Sequence, residues 1–167
     1  RLHEAQGTRI ADSHEAVTIL FADIVNFTQI SATMSPTQVV DMLNHVFSRF
    51  DQLAAQYGVE KIKTIGDAYM VIAGAPNPRH DHAQVIADMA LAMPALLREV
   101  SHEIGQSLEM RIGINSGAVV AGIIGNTRFS YDLWGDAVNL ASRMEHTGLP
   151  NQIQVSASTY TLLSQDY

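Results

Sequence analysis

Lys61-Ile62-Lys63-Thr64-Ile65-Gly66-Asp67-Ala68-Tyr69-Met70 joins two strand-like runs through a Gly-Asp pair. Its β-branched and aromatic residues predict strands over 59–65 and 68–73, with Gly66-Asp67 as the tight turn between them. The turn places a carboxylate, Asp67, at the edge of an apolar layer. A second carboxylate stands in the same situation in Thr18-Ile19-Leu20-Phe21-Ala22-Asp23-Ile24-Val25-Asn26-Phe27-Thr28. There the unbroken apolar run 16–22 predicts a central strand buried on both faces, and it ends on Asp23. A buried charge costs several kcal/mol unless something compensates it, and two such charges on neighbouring strands repel. A hard divalent cation removes both difficulties, because it takes carboxylate and phosphate oxygens together. The pair therefore points to metal-assisted phosphoryl chemistry.

Working outward, residues 1–13 are polar and read as a linker or helical lead-in to a domain over 14–167. Ser35-Pro36-Thr37-Gln38 is a capping box with proline at the first helical position. It opens an amphipathic helix that Gly58 ends. A second helix is expected over about 81–104, kinked at Pro94. Residues 108–115 and 118–124 read as a hairpin around Ser116-Gly117, and 125–132 as a polar-aromatic excursion. Asp136 is expected to cap a short helix through Met144, followed by a strand at 153–155 and a last helix. This order predicts an α+β fold, a ferredoxin-like or palm-type sheet with helices packed on one face.

Composition narrows the function. The chain has 167 residues, 47% of them hydrophobic and 16% charged, with a net charge of −7. That balance argues against a nucleic-acid groove, which needs a basic stripe. With no cysteine, disulfides, zinc–thiolate sites and thiol nucleophiles are excluded. No apolar run reaches membrane-spanning length, so membrane attachment is expected only through segments outside this chain, and a cytoplasmic location follows as an expectation.

Taken singly, the remaining polar residues have plain explanations. Lys63 reads as a solvated strand lysine and Asp132 as a loop acid. Asn139 and Arg143, four apart on one helix face, read as a surface pair. Three stretches in order change that reading: 21–28, 61–70, and 131–144 with Gly135-Asp136-Ala137-Val138-Asn139-Leu140-Ala141-Ser142-Arg143-Met144. Together they resemble the catalytic domain of class III nucleotidyl cyclases over nearly the whole chain from about residue 14.

The resemblance implies that Asp23, Asp67 and the Ile24 carbonyl hold two Mg²⁺ or Mn²⁺ ions. It implies that main-chain N–H groups around Phe27 and Thr28 meet a triphosphate, that Asn139 orients the ribose, and that Arg143 stabilises charge on the α-phosphate. It also implies a homodimer with two composite sites. The metal aspartates would come from one protomer, and Lys63, Asp132, Asn139 and Arg143 from its partner.

Chemistry then favours ATP, because adenine offers an acceptor at N1 and a donor at its amino group. Lys63 donates and Asp132 accepts, and guanine reverses both atoms. Two features depart from the family: Gln152 stands where a basic residue is common, and a following hairpin with a triphosphate-binding lysine is absent, as in a C-terminally truncated domain. The alternatives are a guanylate cyclase, another palm-type transferase, or a silent dimerisation or sensor module.

Overall fold

The computed structural model describes residues 9–124, 130–164 and 166. One sheet has the strand order β2-β3-β1-β4-β5, with β6 pairing separately with β4. The strands are β1 (Arg9–Ile24), β2 (Glu60–Ile65), β3 (Ala68–Ala73), β4 (Met110–Ile124), β5 (Ser130–Trp134) and β6 (Ile153–Val155). The helices are α1 (Phe27–Ser31), α2 (Pro36–Tyr57), α3 (His82–Ile104), α4 (Asp136–His146) and α5 (Ala157–Leu163).

The apolar run of β1 is central, flanked by antiparallel β3 and β4. Alternation divides it between two cores. Leu20, Ala22 and Ile24 face α2 and α3 in one cluster, whereas Val17, Ile19 and Phe21 enter a second with Met70, Ile72, Val119 and Leu133. Ala141 of α4 closes that second cluster. Two helices thus cover one face as expected, but α4 packs on the other, so the helices are not confined to one face.

Local signals hold where they act locally. The capping box forms in full: the Gln38 N–H donates to Ser35 Oγ at 3.2 Å and the Ser35 N–H to Gln38 Oε1 at 2.8 Å. Gly58 ends α2 at φ 70°, a left-handed conformation that glycine adopts without Cβ strain. The β2–β3 turn is the two-residue loop Gly66-Asp67, since Ile65 pairs with Ala68.

Four further expectations are corrected. Residues 9–13 belong to β1 rather than to a lead-in. The hairpin at Ser116-Gly117 does not exist, because β4 runs through it, pairing along β1 with a register shift between His14 and Val17. Residues 130–132 lie in β5 rather than in an excursion, while 125–129 fall outside the described residues. Asp136 is the first residue of α4, with Gly135 at the cap position and no side-chain cap bond. β2 and β5, at opposite ends of the strand order, meet through Lys63 and Asp132.

Candidate active site

Strand register brings the two aspartates together. Asp23 is paired across β1–β3 with Ala68, the residue after Asp67. The Ile24 N–H donates to Asp67 Oδ2 at 3.2 Å. Burial, more than any other influence, pushes the Asp67 carboxyl above its usual range, and the charge of Asp23 adds to it. On the other side of β1, Asp23 is paired with Arg111 of β4. The guanidinium reaches both Asp23 oxygens only at 3.4 Å, long for a charge-assisted bond.

A third carboxylate completes the group. Glu145 is 2% exposed; its Oε2 lies 3.5 Å from Arg111 Nε and has no hydrogen-bond partner among the described residues. Burial first, and then the neighbouring Asp23, pushes its carboxyl up to about 9. Arg111 and Glu145 were not anticipated from the sequence. The signals were present but faint. Arg111 takes the opposite-face position between Met110 and Ile112, and Glu145 continues the inward stripe Ala137-Ala141 by one more turn.

The donor chemistry suits hard cations: two carboxylates side by side, the Ile24 main chain between them, and Arg111 too distant to neutralise either fully. No group of three or more His, Cys, Asp or Glu that could hold a metal occurs among the described residues. Two carboxylates and a carbonyl leave coordination positions for phosphate oxygens, which is how Mg²⁺ is usually held.

Lys63 and Asp132 form a second unit. Lys63 Nζ donates to Asp132 Oδ2 at 2.7 Å, and Asp132 Oδ1 accepts the Leu133 N–H at 2.7 Å. Donor and acceptor are therefore side by side and partly open to solvent. Asn139 and Arg143 lie one turn apart on α4, both exposed. Thr28 is exposed, whereas the Phe27 ring packs against the α2–α3 core, leaving its main chain for any ligand contact. Asn26, just before α1, takes the left-handed conformation at φ 58°. His82, in the His80-Asp81-His82 run, turns inward and pairs with Thr18 Oγ1 at 2.6 Å.

Comparison with known proteins shows what the chain as a whole is similar to. The sequence profile of the adenylate and guanylate cyclase catalytic domain matches residues 10–167. A Mycobacterium tuberculosis protein named adenylate cyclase is 46% identical over 167 residues, all of this chain and 38% of that protein. A Caenorhabditis elegans receptor-type guanylate cyclase is 46% identical over 158 residues, 93% of this chain and 12% of that protein. The chain therefore spans well under half of these relatives. Among solved structures, the catalytic core of a rhodopsin-guanylyl cyclase with converted specificity, in complex with ATPαS, superposes with a TM-score of 0.88 at 40% identity. That match covers 94% of this chain and 85% of the other.

Proposed function

This chain belongs to the adenylate and guanylate cyclase catalytic domain family, and from that premise we propose that it converts ATP to 3′,5′-cyclic AMP and pyrophosphate. The ribose 3′-oxygen forms a bond to the α-phosphorus, the bond from that phosphorus to the bridging oxygen of pyrophosphate breaks, and the hydroxyl proton is released. Asp23, Asp67 and the Ile24 carbonyl would hold two divalent cations. Bound there, such cations acidify the attacking hydroxyl and neutralise the departing pyrophosphate. Asn139 orients the ribose, and Arg143 stabilises charge gathering on the α-phosphate. The main chain of Phe27 and Thr28 meets the triphosphate.

The observation that carries the choice of ATP is the Lys63–Asp132 contact at 2.7 Å. It holds a cationic donor and an anionic acceptor at hydrogen-bonding separation, complementary to adenine N1 and the 6-amino group. Guanine would present its N1 proton to Lys63 and its O6 to Asp132, leaving both groups unpaired.

In this reading the sites are composite. The aspartates of one protomer face Lys63, Asp132, Asn139 and Arg143 of its partner, so one chain closes two equivalent sites as a symmetric dimer. Mixing inactive subunits tests this. Asp23→Ala and Arg143→Ala should each form no cyclic AMP with ATP and Mn²⁺, while the mixture recovers activity from heterodimers with one intact site. Heterodimers that form and remain inactive would remove the composite site. An unaltered dimer that makes no cyclic product would remove the enzyme reading itself.

A further inference from the structure

We infer that Asn115 is a positioning residue that fixes where α4 lies along the sheet, and thereby where Asn139 and Arg143 stand. The inference rests on the composite-site reading for what those two residues do, but its geometry is independent of it. Asn115 is 2% exposed. Its Oδ1 accepts the Ser156 hydroxyl at 2.6 Å and the Ser158 hydroxyl at 3.1 Å. Those two bonds fix the amide plane and aim Nδ2 at α4, where it donates to the Ala137 carbonyl at 2.9 Å. Ser156 is itself anchored as the cap of α5, accepting the Thr159 N–H, and the Ser158 hydroxyl shares its one proton between Asn115 Oδ1 and the Ser116 carbonyl, 2.9 Å away.

The neighbours of Asn115 on its strand face explain why this bond matters. Residues two apart share a face, and on either side stand Gly113 and Gly117. A Cβ at Gly113 would collide with the backbone of Glu145, and one at Gly117 would lie 3.2 Å from the Ala137 Cβ. The helix therefore rests almost directly on the strand backbone. Glycine sets how closely α4 approaches, but a smooth surface offers little resistance to sliding. The Asn115 amide, bonded to a carbonyl in the first turn, supplies that resistance. Among the described residues, no hydrogen bond holds the side chain of Asn139 or Arg143, so the placement of α4 is what locates them.

Asn115→Asp keeps the size and the Oδ1 acceptor but turns an oxygen toward the Ala137 carbonyl. The homodimer is expected to lose about 10²-fold in kcat, the scale of an ångström-level misplacement. KM for ATP should stay within about twofold, since the Lys63–Asp132 unit is untouched. General loss of folded enzyme could mimic that split, so the deciding measurement is complementation. Mixed with Asp23→Ala, the Asn115→Asp chain supplies intact aspartates against an intact α4, and activity should return. Mixed with Arg143→Ala, every site keeps a damaged α4, and activity should stay low.

The Asp23→Ala plus Arg143→Ala mixture is the control, and its failure would remove the composite-site reading alone. If that control recovers while Asn115→Asp is rescued by Arg143→Ala, or by neither partner, the positioning role is overturned. Should Asn115→Asp fail to fold, Gly117→Ala takes its place. Its backbone is outside the left-handed region, and the added methyl presses on the Ala137 Cβ, displacing the same turn of α4 whose carbonyl Asn115 holds. It must be rescued by Asp23→Ala and not by Arg143→Ala, or the inference falls.

Discussion

Two polar groups, the first buried and the second only partly so, sit on the same pair of strands, β1 and β4. One is a neutral chain of contacts: His82 to Thr18 at 2.6 Å, Thr18 to Ser116 at 2.8 Å, Ser116 to Thr159 at 2.8 Å, Thr159 to Ser156 at 3.3 Å and Ser156 to Asn115 at 2.6 Å. The other is the group Asp23, Arg111 and Glu145, whose contacts are 3.4 and 3.5 Å and in which Glu145 Oε2 has no hydrogen-bond partner among the described residues. The first is satisfied within the fold, as buried polar groups normally are. The second is loosely paired, with every contact of its one cation at 3.4 Å or longer. A satisfied group beside a loosely paired one is the contrast expected where a functional site departs from the rules of the core.

Removing an aspartate gives the largest expected separation between the two regions. Asp23→Asn and Asp67→Asn should each lower cyclic-product formation by about 10²–10³-fold or more, the scale for losing stabilisation of transition-state charge. Metal-free thermal stability should hold or rise, because a repelling carboxylate has gone. A variant that unfolds instead would mean that the carboxylates hold the fold together.

The Lys63–Asp132 pair is a third case, well bonded but partly exposed. Exchanging it, with Lys63→Glu and Asp132→Cys together, should shift the ratio of ATP to GTP turnover by about 10²-fold or more toward GTP. Stability should change by no more than about 1 kcal/mol, as for exposed ion pairs generally. Unchanged nucleotide preference would break the account of base choice.

How much of this was legible in the sequence follows from the range of each interaction. The α2 capping box and the Gly66-Asp67 turn are settled within a few residues, and both could be read directly. Asp23 and Asp67 were legible as acids ending apolar strands, and Lys63, Asp132, Asn139 and Arg143 gained meaning only from the ordered motifs around them. The strand β4 was misread because Ser116-Gly117 has turn composition. Pairing along β1 overrides it, and Gly117 serves instead to let Ala137 approach. Arg111 and Glu145 are 34 positions apart, and nothing local joins them. Only α4 crossing β4 brings them to Asp23.

The satisfied network should report its energy when cut. Ser116→Ala leaves Thr18 and Thr159 each short of a partner, at a cost of about 1–3 kcal/mol. Urea unfolding of the metal-free protein measures it, and a negligible loss would show that the contacts are not mutually supporting.

The finest contrast is in pH, where the two regions pull in opposite directions. Burial lowers the pKa of His82 below its ordinary value of 6.5. The unfolded chain therefore binds more protons near that pH, and stability is lost as pH falls from 6.5 toward the lowered folded value. Glu145 is raised from 4.5 to about 9, so the native state binds more protons, and stability is lost as pH rises from 4.5 through about 9. In metal-free protein, His82→Gln should flatten the acid side of the stability curve and leave the alkaline side alone. Glu145→Gln should do the reverse, because a neutral amide carries no such proton dependence. If Glu145→Gln leaves the alkaline slope intact, the charged group is less strained than its long contacts imply, and the contrast between the two regions narrows to hydrogen-bond geometry alone.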